Sequence, residues 1–164
     1  MRGGSVMFLD FNDLNEFDEV EQTNFDSKEP VPAIVNNEKV RKFLLAGDCH
    51  CHIENMRSGN SFEYKIQRNK NKSNMFFVNV MSGLGEIYCG YFYINSTLID
   101  YRKGDKGSCE ESDPRIQTLL WTLRNSKKLP SYVIVQHFGK CAHCGSPLTD
   151  VESLHRGLCP ICEY

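Results

Sequence analysis

The amino-acid sequence predicts an α+β protein: a small antiparallel β meander covered by one helix, followed by a C-terminal zinc ribbon. Three observations predict it. Apolar and polar residues alternate in short runs between residues 48 and 101, the two-residue period of half-buried strands. One later run, 114–125, has helical period instead. The last 24 residues hold two Cys-x-x-Cys pairs. The chain divides accordingly into an acidic, Phe-rich tail (1–35), an α+β domain (36–138) and the ribbon (139–164).

Charge separates tail from body. Residues 1–38 carry nine acids against two bases, and residues 39–164 carry 12 acids against 17 bases. An acidic arm on a mildly basic body implies two electrostatic roles. Within the arm, Phe8, Phe11, Leu14, Phe17 and Val20 recur every third residue, which keeps one apolar stripe over two helical turns. Pro30 and Pro32 then interrupt. Self-repulsion and scarce alanine predict a tail that is disordered until it meets a partner. Phe8, Phe11, Leu14 and Phe17 are therefore candidate partner-binding residues, suited to a basic, apolar groove.

In the body, Asn36 or Asn37 is placed to cap a short helix over 38–46. Val40, Phe43 and Leu44 give it one apolar face, and Gly47 stops it. Strands follow at 48–56, 61–68, 75–81 and 87–94, with a short fifth at 97–101. Their common apolar face needs a cover. The helix at 114–125 supplies it, since Ile116, Leu119, Leu120 and Leu123 lie on one stripe. Asp113 is placed to cap that helix and Pro114 fits its first position. Residues 131–137 alternate again and lead straight into the ribbon.

The ribbon reads Cys141-Ala142-His143-Cys144 and Cys159-Pro160-Ile161-Cys162, with fourteen residues between the pairs, the first of them Gly145. Two residues between cysteines let a tight knuckle aim both sulfurs at one ion, and Gly145 supplies the left-handed turn after the first knuckle. Thr149 and Glu152 have capping-box spacing for a helical turn over 150–156 that ends at Gly157. The expected ligands are Cys141, Cys144, Cys159 and Cys162, and the expected cofactor is Zn2+. With all four positions taken by cysteine, the metal is structural and holds the small ribbon together.

The eight cysteines come without an export signal, which predicts reduced thiols and a cytoplasmic protein. No apolar run is long enough to span a membrane. Cys49-His50-Cys51-His52 invites a second metal site. On a strand, however, Cys49 and Cys51 share one face and His50 and His52 the other, so strand packing is the expected role. Cys89 and Cys109 read as isolated thiols, each buried or incidental. His143, inside the first knuckle, is expected to point outward.

This C-terminal pattern resembles an uncharacterised family of phage and bacterial proteins. The shared motif is C-x-x-C-G-x-x-L-T-x-x-x-S, then a glycine and a P-x-C ending. Here it is carried by Cys141, Cys144, Gly145, Leu148, Thr149, Ser153, Gly157, Pro160 and Cys162. Ser58, Gly59, Phe62, Tyr64 and Ile66 resemble that family's β domain, so the resemblance covers residues 48–164. Family members commonly have glycine at the position of Cys159, which makes the ribbon of this chain the more complete one. The resemblance implies an architecture and a phage-like setting, and no reaction.

Basic residues gather in loops: Arg68, Lys70 and Lys72, then Arg102, Lys103 and Lys106, then Lys127, Lys128, Lys140 and Arg156. Of these, Arg68, Lys70, Lys72, Arg102, Lys103, Lys140 and Arg156 are candidate nucleic-acid contacts if they converge on one face. Tyr88, Tyr91, Phe92 and Tyr93 lie nearby and can stack on bases, although alternation sends at least half of them to the core. No Gly-rich phosphate loop, nucleophile elbow or catalytic histidine pair is present, so no enzyme is expected. The expected function is that of a non-enzymatic zinc-binding accessory protein, of phage or mobile-element origin, associating with nucleic acid or with a nucleic-acid-processing complex. The alternative is an interaction module that inhibits a host protein through its tail. Neither a membrane nor a small-molecule substrate is expected.

Overall fold

A computed structural model of the chain describes residues 33–96 and 98–162. The tail residues Phe8, Phe11, Leu14 and Phe17 lie outside them. The described residues belong to one compact unit, Pro32–Tyr164.

The predicted meander is present, with its strands close to their expected bounds. Strand β1 is Ala33–Ile34, β2 Asp48–Asn55, β3 Asn60–Arg68, β4 Met75–Ser82, β5 Gly85–Asn95, β6 Leu98–Arg102 and β7 Val133–His137. They form one antiparallel sheet in the order β1-β7-β2-β3-β4-β5-β6. Strands β2 to β6 follow one another as hairpins. Strand β7 then pairs on the far side of β2, with Ile53 opposite Val135. The connection from β6 to β7 must therefore return across the whole meander. Helix α2, Pro114–Arg124, makes that crossing.

This crossing is why the stripe on α2 is apolar. Ile116, Leu119, Leu120 and Leu123 are all fully buried, against Cys51, Ile53, Tyr64, Ile66 and Val78 on the inner face of the sheet. Asp113 caps α2 as expected, accepting from the Arg115 amide at 2.9 Å. Tyr64 is buried among these chains and donates from its hydroxyl to the Arg115 carbonyl at 2.6 Å, so the largest core residue leaves no polar atom unpaired.

Three local expectations need correction. The helix expected over 38–46 is a 3-10 turn, Asn37–Lys39, followed by α1, Val40–Leu44. Neither asparagine caps it through its side chain; the Asn37 amide instead donates to the Leu129 carbonyl at 3.1 Å. The segment assigned to the tail reaches too far, because Ala33 and Ile34 pair with His137 and Gln136, and Val35 is fully buried. In helix α3, Val151–Arg156, the cap is Asp150 rather than Thr149, accepting from the Ser153 amide at 3.1 Å. Gly157 ends α3 at φ +73°, the left-handed conformation expected of it.

Candidate metal centre

The four cysteines sit where β7 runs out beside the start of β2. Three backbone hydrogen bonds build the first knuckle and fix it to the sheet. Cys141 N donates to Ser146 O at 2.8 Å, Gly145 N to Cys141 O at 2.9 Å, and Asp48 N to Ala142 O at 2.7 Å. Gly145 has φ +80°. The His143 amide points at Cys141 Sγ from 3.4 Å, the amide-to-sulfur contact that such a knuckle provides. Helix α3 and the turn at Gly157 then bring back the second pair, with Ala142 N bonded to Gly157 O at 3.0 Å.

The sulfurs of Cys141, Cys144, Cys159 and Cys162 all lie within 4.8 Å of one another. Cys144 Sγ and Cys159 Sγ are 3.8 Å apart. A tetrahedron of thiolates with metal–sulfur bonds of about 2.3 Å has edges of about 3.8 Å. The donor set and its spacing thus fit one metal ion with four sulfur ligands. No other cluster of metal-ligating side chains occurs among the described residues.

The thiols do not share one environment. Hydrogen bonds from Ser146, whose Oγ is 3.2 Å from Cys144 Sγ, hold the Cys144 thiol down at about 6. Desolvation and the neighbouring sulfurs push Cys162 well up. His143 is exposed, but its Nδ1 lies 3.4 Å from Cys162 Sγ. Its ring faces the sulfur cluster, contrary to the outward orientation expected of it. A cleft of about 710 Å³ opens beside it, lined in part by Arg41, Leu45, Leu158 and Ile161.

One further residue, at the junction of the sheet and the ribbon, is central to holding the ribbon. His137 is fully buried at the end of β7. It lies 2.7 Å from the Leu154 carbonyl through Nε2, and its Nδ1 accepts from the Gly139 amide at 2.8 Å. These partners define a neutral ring protonated at Nε2, and burial lowers its pKa. Alternation along β7 was the signal that could have found it.

The remaining cysteine and histidine candidates behave as a strand dictates. Cys49 and Cys51 are buried, while His50 and His52 lie on the opposite face. His50 Nε2 is 2.5 Å from Glu63 Oε2, and His52 Nε2 is 2.6 Å from Ser61 Oγ. Cys89 and Cys109 are not isolated from each other. Their sulfurs meet at 3.0 Å in the core, and the Tyr101 hydroxyl bonds both of their carbonyls, at 2.9 and 2.7 Å.

The basic candidates divide. Lys72 Nζ and Arg102 Cζ, thirty residues apart in sequence, lie 5.9 and 6.0 Å from the centre of the Tyr93 ring. Lys70 is exposed in the same β3–β4 turn as Lys72. Arg68 is occupied elsewhere: its guanidinium donates to the carbonyls of Leu45 at 2.8 Å and Ser73 at 3.2 Å, closing the end of α1. Arg102 also pairs with Asp100, at 2.9 Å, as Lys103 does with Glu110 at 3.1 Å. Lys140 is exposed beside Cys141, and Arg156 is half-buried against Ser153 Oγ at 3.2 Å. No helix among the described residues is long and apolar enough to cross a membrane. Comparison with known proteins gave no match: no family model, no curated protein and no solved structure is significantly similar to the chain.

Proposed function

We propose that the chain is a non-enzymatic, zinc-binding accessory protein that associates with nucleic acid or with a complex that processes it. Zinc is the metal because it is the ion most at home in a closed tetrahedron of thiolates. Four cysteine ligands leave no position for a water or substrate, so the ion's role is structural: it holds the end of the chain against β2 and β7. A phage or mobile-element origin is part of the proposal and is supported by the sequence resemblance.

The observation that carries the nucleic-acid reading is the approach of Lys72 and Arg102 to one partly exposed ring, Tyr93. Cations beside an aromatic ring can neutralise a phosphate next to a stacked base. Gel-shift titrations with DNA and RNA at about 50 and 200 mM salt test it. The reading requires binding that weakens steeply as salt rises. Absence of any shift at the lower salt would rule it out.

A further inference from the structure

The sheet has a second face, turned away from α2, and that face carries aromatic rings which the core does not use. The register of β5 is the cause. Val78 opposes Gly90, but Asn79 opposes Tyr88, so β5 has one extra residue at Cys89. Tyr88 and Tyr91 are three apart, yet this bulge turns both to the open face, while Cys89 and Phe92 go to the core with no exposure. Gly90 is required at the bulge, since a side chain there would meet the Arg102 carbonyl at 2.7 Å and collide with the Tyr101 hydroxyl. The expectation that at least half of the aromatic group is core is thus overturned: of the four, only Phe92 is buried.

Tyr88, Tyr91 and Tyr93 join Phe77 of β4 in one partly exposed patch. Phe77 is the register partner of Tyr91, and its ring centre is 6.3 Å from that of Tyr88. Tyr91 and Tyr93 meet edge to face at 5.8 Å. Lys72 and Arg102 flank Tyr93. A cleft of about 530 Å³ continues the patch beyond Phe77, lined by Gln67, Asn69 and Lys70 among others. The carboxylates on this part of the face have partners: Asp100 has Arg102 at 2.9 Å, Glu86 has Lys65 at 3.6 Å and Asn79, and Asp48, which also lines the cleft, accepts from Gln67 at 3.3 Å. Lys70 and Lys72 are exposed at its rim.

From these rings and cations we infer that the open sheet face binds single-stranded nucleic acid, with bases stacked on Phe77, Tyr88, Tyr91 and Tyr93 and phosphates held by Lys70, Lys72 and Arg102. The ring centres of Tyr91 and Tyr93, two residues apart on β5, are 5.8 Å apart. Bases in a duplex are spaced about 3.4 Å along each strand and present no free face. Only unpaired, splayed bases can lie on such a platform. Asn79 and Gln67 stand in the neighbouring rows, their amides donating to Glu86 and, at 3.3 Å, to Asp48. The inference rests on the nucleic-acid reading above and names its face and substrate class.

The test is fluorescence anisotropy on the full, metal-loaded chain. The probes are a labelled 20-nucleotide single strand, as DNA and as RNA, and the blunt duplex of the same sequence. Single strands should bind at least tenfold tighter than the duplex. Tyr91→Leu and Tyr93→Leu keep apolar bulk but lose the ring, and each should weaken single-strand binding about 5- to 150-fold. Tyr93→Phe should bind within about twofold of the parent, and Lys72→Gln should lower the salt slope by about 0.7. Leucine variants that keep the parent's circular dichroism and melting but bind as tightly overturn the platform and leave the nucleic-acid reading standing, as does equal affinity for the duplex. Failure of every oligonucleotide to bind at about 50 mM salt overturns both. If the same leucine substitutions then abolish a self-association or a protein contact, the face belongs to a protein partner.

Discussion

Nε2 of the buried His137 and the carbonyl of Leu154 lie 2.7 Å apart, so β7 and the helix between the cysteine pairs are joined by a part-buried hydrogen bond. The same ring packs 6.2 Å from Phe43 of α1. Three elements therefore depend on one neutral imidazole.

His137→Ala leaves the Leu154 carbonyl and the Gly139 amide without their partner and opens a cavity. It should cost about 2–4 kcal/mol of stability. Urea unfolding of the metal-loaded protein checks it.

Burial holds the His137 pKa below its ordinary value in the folded chain. As pH falls through about 6.5, the unfolded chain takes up this proton first. The stability due to the neutral ring is thus whole above that pH and is lost as pH falls toward the folded pKa. Unfolding midpoints between about pH 8 and 5 should decline on the acid side, and His137→Gln should flatten that decline.

Gly157→Ala should also destabilise the ribbon. Gly157 has φ +73°, and a side chain there would meet Phe43 Cε1 at 2.6 Å. Strain and overpacking together should cost about 2–4 kcal/mol. The loss should appear as a lower melting temperature and a weaker hold on metal, with the sheet's circular dichroism kept.

Thiol labelling should separate the eight cysteines by environment. Cys49, Cys51, Cys89 and Cys109 are buried in the body; of the ligands, Cys141 is buried and Cys144, Cys159 and Cys162 are at least partly exposed. A chelator should release the ligand cysteines to a thiol reagent, while the four body cysteines react only on denaturation. Rapid labelling of Cys89 or Cys109 in the native protein would contradict their core positions.

Much of this was legible in the sequence because it is periodic or locally spaced. Strand alternation, the apolar stripe on α2, the Asp113 cap and the two cysteine pairs each depend on neighbours within one or two turns of chain. What was not legible depends on register and return. The Cys89 bulge adds one residue without changing the composition of β5, and so hid the common face of Tyr88 and Tyr91. Contact between Cys89 and Cys109 needs the loop after β6 to fold back. Strand β1 has only two residues and no period to read. The inward turn of His143 follows from the second knuckle, fifteen or more residues away in sequence.

The central claim is one zinc ion held by four sulfurs. Elemental analysis of freshly purified protein, never exposed to chelator, tests it most directly. One zinc per chain is expected, falling to near zero in Cys144→Ser and Cys159→Ser. Metal-free protein, or ligand thiols recovered as disulfides, would contradict it.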